Sequence, residues 1–288
     1  MNRIVLFLAL ACPGLVVAQT QTEKPVPPES KWGLKHSVVS GLTLTQVSFK
    51  DWAQGGENTF SWTVRFDGKS ALEDTSYTWG SSFKMVYGVA KIGDEVARKT
   101  EDRLEFESVY THKLGTHVNP YIGITLKTQF AEGVTLDKTG KEKPVSKFFD
   151  PAYLTQSAGI GYQPLQQLKT RLGVAVREIV TSDYWTYAND PSTPPEQRVK
   201  TRVDGGFESI TDVEWKLDDN LLFRSKLEFF SPIRKPSDAT MRMDNTVTAS
   251  INKYMVVILN LLLINDERAS TRLQVKEVMS IGLTYTLF

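Results

Sequence analysis

From Val38 onward, apolar and polar residues alternate along the chain with a period of two. Phe60, Trp62, Val64 and Phe66 are interleaved with Ser61, Thr63 and Arg65, and Leu104, Phe106 and Tyr110 with Arg103, Glu105 and Glu107. Successive side chains of a strand point to opposite faces, so this pattern predicts strands with one greasy and one polar face, not amphipathic helices. Twelve segments share it: Val38–Phe49, Asn58–Phe66, Ser76–Lys91, Glu101–Leu114, Pro120–Ala131, Leu154–Tyr162, Lys169–Val180, Arg202–Lys216, Leu221–Ser231, Arg242–Ile251, Tyr254–Ile264 and Leu273–Phe288. Most approach the ~9–11 residues with which a tilted strand crosses a bilayer. In Tyr254–Ile264 the run Met255–Leu259 is continuously apolar, so the pattern assigns that strand no face.

The connections alternate as well. Lys50–Glu57, Ile92–Thr100, Glu132–Tyr153, Thr181–Thr201, Pro232–Met241 and Asn265–Arg272 average 13 residues. Between them Asp67–Thr75, Gly115–Asn119, Gln163–Leu168, Leu217–Asn220 and Asn252–Lys253 average about 5. Long and short links alternating along an even number of strands predict an all-β chain, a single antiparallel up-and-down transmembrane barrel of about 12 strands. Its short turns and both termini would lie in the periplasm and its long loops outside. A soluble sandwich or lipocalin-like barrel would show the same alternation with its faces reversed.

Three features favour lipid. The polar faces carry charges of both signs and the apolar faces almost none. The exceptions Glu178 and Glu277 fall near the external strand ends, where a lipid-facing charge costs least. Aromatics gather in two rows: Tyr77, Trp79, Tyr110, Tyr162, Trp215 and Tyr285 toward the periplasm, and Phe60, Trp62, Phe130 and Phe229 toward the outside.

Composition narrows the setting. With 34 Lys+Arg against 33 Asp+Glu in 288 residues, the net charge of +1 excludes a charge-driven nucleic-acid binder. Residues 1–18 read as a secretory signal peptide: Arg3 precedes the apolar run Ile4–Ala11, and Val16-Val17-Ala18 offers small residues for cleavage. Cys12, the one cysteine, lies inside it; an acylated leader would begin the mature chain there, although Ala9 stands where such signals prefer Leu. Residues 19–37 form a proline-rich periplasmic segment and 38–288 the barrel. The expected location is the outer membrane of a Gram-negative bacterium after Sec-type export. The expected partners are outer-membrane lipids and lipopolysaccharide, the barrel-assembly machinery and a small polar solute, with no nucleic acid.

The phase of each strand sends a set of charges into the lumen: Arg65, Lys84, Arg103, Glu105, Glu107, Lys127, Arg171, Arg177, Asp204, Glu208, Asp212, Glu214, Arg224, Lys226, Glu228, Arg242 and Asp244. They are expected to pair between neighbouring strands, Glu105 and Glu107 with Lys84 and Lys127, and the acidic eighth segment with Arg171, Arg177, Arg224 and Lys226. They would line either a narrow passive channel for small polar solutes or the filling of a structural or surface-interaction barrel. Twelve strands lie between plugged and open barrels, so the count does not choose.

A barrel-embedded hydrolase would need a nucleophile and base held together, and His36, His112 and His117 show no such pattern. A carboxylate pair among Glu208, Asp212 and Glu214 is the other catalytic candidate, against ordinary salt bridging. No metal or cofactor motif is present. Trp52 with Gly55 and Gly56 is an external-loop element of unusual composition, read as a glycine turn with an interfacial tryptophan or as a loop folded into the mouth. Gly159-Ile160-Gly161, inside a strand, reads as a bend in the wall.

Several stretches carry a family resemblance: Trp52-Ala53-Gln54-Gly55-Gly56-Glu57-Asn58, Lys99-Thr100-Glu101-Asp102-Arg103, Thr128-Gln129-Phe130, Phe149-Asp150-Pro151-Ala152-Tyr153-Leu154, Gly159-Ile160-Gly161-Tyr162 and Asn252-Lys253-Tyr254. In these the chain resembles an outer-membrane β-barrel family of Bacteroidetes-type bacteria, domain-of-unknown-function family 3078. It departs at Ile264-Asn265-Asp266, where a tyrosine is expected before the acidic residue. The resemblance implies a barrel and supplies no activity.

Overall fold

The computed structural model describes residues 33–48, 57–136, 141–190, 192–266 and 272–286. The signal-peptide reading, the Trp52, Gly55 and Gly56 element and Phe288 fall outside them. The strands are β1 (Gly33–Val47), β2 (Thr59–Glu73), β3 (Tyr77–Ile92), β4 (Arg98–His112), β5 (Val118–Thr128), β6 (Gly133–Leu136) and β7 (Glu142–Ser146). They continue with β8 (Ala152–Leu165), β9 (Leu168–Val180), β10 (Thr201–Asp218), β11 (Leu221–Pro232), β12 (Thr240–Ser250), β13 (Met255–Asn265) and β14 (Gln274–Thr286). Twelve close into an antiparallel barrel in the order β1-β14-β13-β12-β11-β10-β9-β8-β5-β4-β3-β2. β6 and β7 form a separate hairpin within the long connection between β5 and β8.

Most strand boundaries shift by one to three residues from the sequence reading, and two shift further. β1 starts at Gly33, ahead of Val38. β2 continues to Glu73, so most of the expected turn Asp67–Thr75 is strand, paired residue by residue with β3. Asp67-Gly68-Lys69-Ser70 has the composition of a turn, yet Asp67, Lys69 and Glu73 continue the inward phase of Arg65. The remaining turn is closed by the Asp74 carboxylate, which accepts hydrogen bonds from the Ser76 amide at 3.2 Å and the Thr75 hydroxyl at 3.0 Å. Led by the Ser76 amide, these bonds hold its pKa below the usual carboxylate value.

The outward faces are apolar and bare. Leu42, Ile122, Ile160, Leu172, Val174, Phe207 and Leu283 are all exposed, whereas the inward Asp204, Glu208, Glu228 and Asp244 are buried. That distribution is the inverse of a soluble protein's. At the short-turn end Trp79, Tyr162, Trp215, Tyr254 and Tyr285 stand out from the wall, and Tyr77 stacks on Tyr110 at 5.5 Å. At the long-loop end Phe60 and Phe229 are exposed, and Trp62, Tyr87 and Phe130 meet edge to edge and tilted at 5.6 and 4.9 Å.

β13 departs from the rule, because both its faces are apolar. Val256 and Leu262 are buried inward while Leu259 and Leu261 are exposed outward. That is why its sequence carries no readable phase.

Candidate functional site

Strand parity, fixed by the pairing register, puts all seventeen candidate lumen charges on the inward face. Their partners differ from the neighbour-strand expectation. Glu107 on β4 is bonded by Arg171 of β9 and by Lys226 of β11. Glu105 accepts from Arg242 of β12 at 2.8 Å, and Arg103 donates to Asp244 of β12 at 2.8 Å. Lys127 of β5 donates to Glu228 of β11, which also accepts from Arg242 at 3.3 Å. Glu101 on β4 pairs with Lys276 of β14 at 2.7 Å. Asn260 steadies Asp244 from the side, at 2.6 Å.

Lys84 and Lys127 stand directly opposite Glu105 in the register, as expected, but the direct bonds of Glu105 and Glu107 go elsewhere. β4 bonds to strands three to six places away around the ring. On the acidic strand β10, Glu214 keeps a neighbour partner, Arg224 at 3.0 Å, while Asp212 only approaches Arg171, at 3.9 Å. Asp204 is held by Arg202, at 2.9 Å. Arg177 instead lies 3.9 Å over the Phe230 ring and donates to Thr240 at 2.8 Å.

These pairs fix the shape of the bore. β4 and β12 are six places apart in a ring of twelve, on opposite walls. Twelve strands about 4.8 Å apart, tilted ~40°, would close a circle about 24 Å across. An arginine and an aspartate in direct contact span about 14 Å between Cα atoms. The wall is therefore pressed into an oval whose short axis runs from β4 to β11 and β12. Lys69 of β2 also reaches Glu214 of β10, 3.5 Å away and again six places around.

An oval needs sharp ends, and glycine supplies one. Gly159 on β8 and Gly173 on β9 face each other across the register. A Cβ on either would lie 2.2 or 2.3 Å from a carbonyl oxygen of the partner strand. Glu208 is buried opposite Gly173. In the next row Gly206 is filled against Phe230, its would-be Cβ 2.4 Å from the Ser231 oxygen.

Below the ion pairs the lumen opens toward the short turns as a cup of about 340 Å³. Glu107, Arg171 and Asp212 form part of its lining, and Lys69, Lys169 and His117 stand among its walls. His117 bonds Thr116 at 2.8 Å in the turn after β4, and His112 is exposed at the end of that strand. Asp212 and Glu214 face separate partners, Arg171 and Arg224, and Glu208 is buried two and three rows away from them. Sequence reasoning missed Lys69, because it lay in the supposed turn, and Glu101, which opens its segment and shares the inward phase of Arg103.

The long-loop end is fixed by carboxylates that satisfy backbone amides. Asp102 accepts from the Phe130 and Ala131 amides at 3.0 and 2.9 Å and from Lys99 at 2.7 Å. Asp150, almost fully buried, accepts from the Ser182 and Asp183 amides at 3.0 and 2.7 Å. Asn189 ties Trp185 to Val199 through both ends of its amide, and Arg198 lies 3.3 Å over the Trp185 ring. Lys147 bridges to Asp183, which raises the lysine and lowers the carboxylate pKa through their shared hydrogen bond. Burial pushes the Tyr187 phenol up. The motifs Lys99–Arg103 and Phe149–Leu154 thus have a structural use: they anchor loops. Among the described residues no group of three or more His, Cys, Asp or Glu side chains forms a metal cluster.

Residues 44–134 match the family described as protein of unknown function (DUF3078), the family that the Trp52–Asn58 and Lys99–Arg103 stretches resemble. No curated protein matches. Among solved structures, the COG4313 outer membrane channel from Pseudomonas putida F1 is similar at 11% identity and TM-score 0.41, over 91% of this chain and 98% of that one. The NanC porin shares 9% identity at TM-score 0.40, over 86% and 98%. The translocator domain of the autotransporter NalP from Neisseria meningitidis shares 10% at TM-score 0.39, over 90% of each chain.

Proposed function

We propose that this chain is an outer-membrane β-barrel with a closed bore, a bilayer-embedded scaffold that presents its fixed long loops outward. A bare apolar wall bounded by aromatic rows fits the hydrocarbon layer and its two interfaces. In that setting its neighbours are outer-membrane lipids and lipopolysaccharide, and the barrel-assembly machinery inserts it. One observation carries the closed bore: Arg103–Asp244 and Arg242–Glu105 join side chains from opposite walls at 2.8 Å. Planar-bilayer recording on the purified, folded protein is the test. The expected trace is free of steps, and a steady conductance of porin size would overturn the closed bore.

A narrow passive channel for small polar solutes is the second reading, and the cup supports it. Its walls are polar and charged, and the barrier above it is ionic rather than greasy, so water and ions can solvate the barrier if its pairs separate. On this reading the recording shows small, brief steps that become longer when Arg242 and Glu228 are both changed to glutamine.

A further inference from the structure

The strands of the ring are joined over most of their length, with one exception. β1 has 15 residues and β14 has 13, yet they pair through five, from Val39–Thr286 to Thr43–Gly282. Beyond Gly282 the two strands part. Leu44–Val47 of β1 hold on to β2 alone, and Gln274–Ile281 of β14 hold on to β13 alone. All four residues Leu44–Val47 are exposed, whichever way their side chains face. Met279, at 75%, is the most exposed large apolar residue of the described chain. The parting point is narrow: a Cβ on Gly282 would lie 2.7 Å from the Thr43 hydroxyl.

What lies just inside this gap is unlike the rest of the bore. The inward residues of β13 are Val256, Ile258, Asn260, Leu262 and Ile264, and beside them Val278 faces in from β14. On β4, β10, β11 and β12, by contrast, the inward positions carry most of the bore's charge. Outside the gap stand Leu44, Met279 and Ile281, all exposed. Apolar residues therefore line the outer wall beside the seam and, one strand further in, the inner face of β13; between them β14 turns Val278 inward, flanked by Lys276 and Ser280. On β1 the open edge lies level with Trp62 and Phe60, at the external aromatic row. Beside the parting point Arg65, opposite Gly41, reaches Asp67 at 3.7 Å and no other acidic group among the described residues, which leaves its guanidinium donors free.

We propose that the seam between β1 and β14 is a lateral port, through which the acyl chain of an anionic membrane amphiphile passes between the bilayer and the aliphatic stripe on β13. Arg65 receives the anionic head. The inference rests on the barrel sitting in a bilayer, and goes beyond it by giving the closed bore a side entrance.

The probe is palmitic acid carrying a diazirine on its chain, added to the full-length protein in liposomes, photolysed, and mapped by mass spectrometry. Adducts are expected on the outward residues Ile281 and Leu283 and also on the inward Ile258, Leu262 and Val278. A staple tests the route. Continuing the register beyond Thr43–Gly282 sets Thr45 opposite Ser280, so T45C/S280C in a Cys12→Ser background can bridge the gap. Oxidation is expected to lower inward labelling at least fivefold and leave outward labelling intact, and reduction to restore it.

If the staple does not close, Arg65→Gln decides: inward labelling should fall about threefold, with outward labelling unchanged. Outward adducts without inward ones overturn the port, as does inward labelling indifferent to a closed staple. So does inward labelling unchanged by Arg65→Gln where no staple forms. An absence of outward adducts would instead overturn the bilayer setting itself.

Discussion

Where β4 faces β11 and β12, the barrel is held by charge across its bore; where β1 meets β14, it is held by five residue pairs along its wall. The two regions separate two kinds of closure. Backbone hydrogen bonds close a ring of strands, and a seam with few of them is the place where that ring yields. Side chains close the space inside, and they do so only if the wall is flat enough for opposite charges to touch. The ladder and the glycine bend at β8 and β9 are therefore one device: the bend brings the walls together and the ion pairs keep them there.

The ladder should break most expensively at Glu228, which meets Lys127, Lys226 and Arg242. Glu228→Gln removes a carboxylate that serves three cations in a confined space, and a lost buried partner costs about 3–5 kcal/mol. Urea unfolding from liposomes should show that loss as a lower midpoint. Glu214→Gln is the contrast, because its pair with Arg224 is about half exposed on both sides and such pairs contribute ~0–1 kcal/mol. Equal midpoint shifts for the two variants would mean that the ladder holds nothing.

The packing of β10 on β11, next to the bend, is tested by two adjacent glycines that point to opposite faces. A Cβ on Gly206 meets the Ser231 oxygen at 2.4 Å and the Phe230 ring at 2.7 Å, whereas one on Gly205 meets nothing within 4 Å. Overpacking of that kind costs about 1–3 kcal/mol, so Gly206→Ala should lower the unfolding midpoint and Gly205→Ala should not. If both are silent, the wall at β10 and β11 is looser than its contacts imply.

How much of this could be seen in the chain beforehand depends on the range of the interaction. Strand number, order and face are local properties, and Phe60–Phe66 or Arg103–Tyr110 display them within seven or eight residues. Inwardness is local too, which is why Arg103 or Glu228 could be assigned a face from its neighbours. Pairing is not. That Glu107 meets Lys226, 119 residues on, depends on the curvature of the wall. Curvature is set by contacts such as Gly159 with Gly173, whose consequence no short stretch of sequence displays. Lys69 was hidden for a different reason: Asp67-Gly68-Lys69-Ser70 has turn composition, and pairing with β3 overrode it. The seam had no signature at all, since β1 and β14 alternate as regularly as their neighbours.

The fixed loops at the long-loop end offer a smaller effect. Asp102→Ala strips the Phe130 and Ala131 amides of their acceptor and Lys99 of its partner. Leaving such donors unsatisfied costs about 1–3 kcal/mol, confined to that loop. Hydrogen exchange at Phe130 and Ala131 should quicken while the unfolding midpoint of the barrel moves little. A fall of the midpoint as large as that of Glu228→Gln would show that the loop and the ladder unfold as one unit.

Smallest of all is the pH response of the Lys147–Asp183 bridge, and its sign can be worked out from both partners. The hydrogen bond from Lys147 lowers the Asp183 pKa, so that group's contribution is present above the ordinary aspartate value of about 3.9 and is lost as pH falls through the lowered one. The same bond raises Lys147, whose contribution is present below the ordinary lysine value of about 10.4 and is lost as pH rises through the raised one. Between those limits nothing in the bridge titrates. The described histidines stand away from the bridge, His36 on β1 near its start and His112 and His117 at the short-turn end. Proteolysis of the Thr181–Thr201 loop should therefore be flat from about pH 5 to 9 and quicken below about pH 4. Lys147→Met should remove that acid edge and leave the plateau, because Asp150 still holds the Ser182 and Asp183 amides. A step near pH 6.5 would place a histidine in contact with the loop, and the separation of the two ends on which the contrast rests would fail.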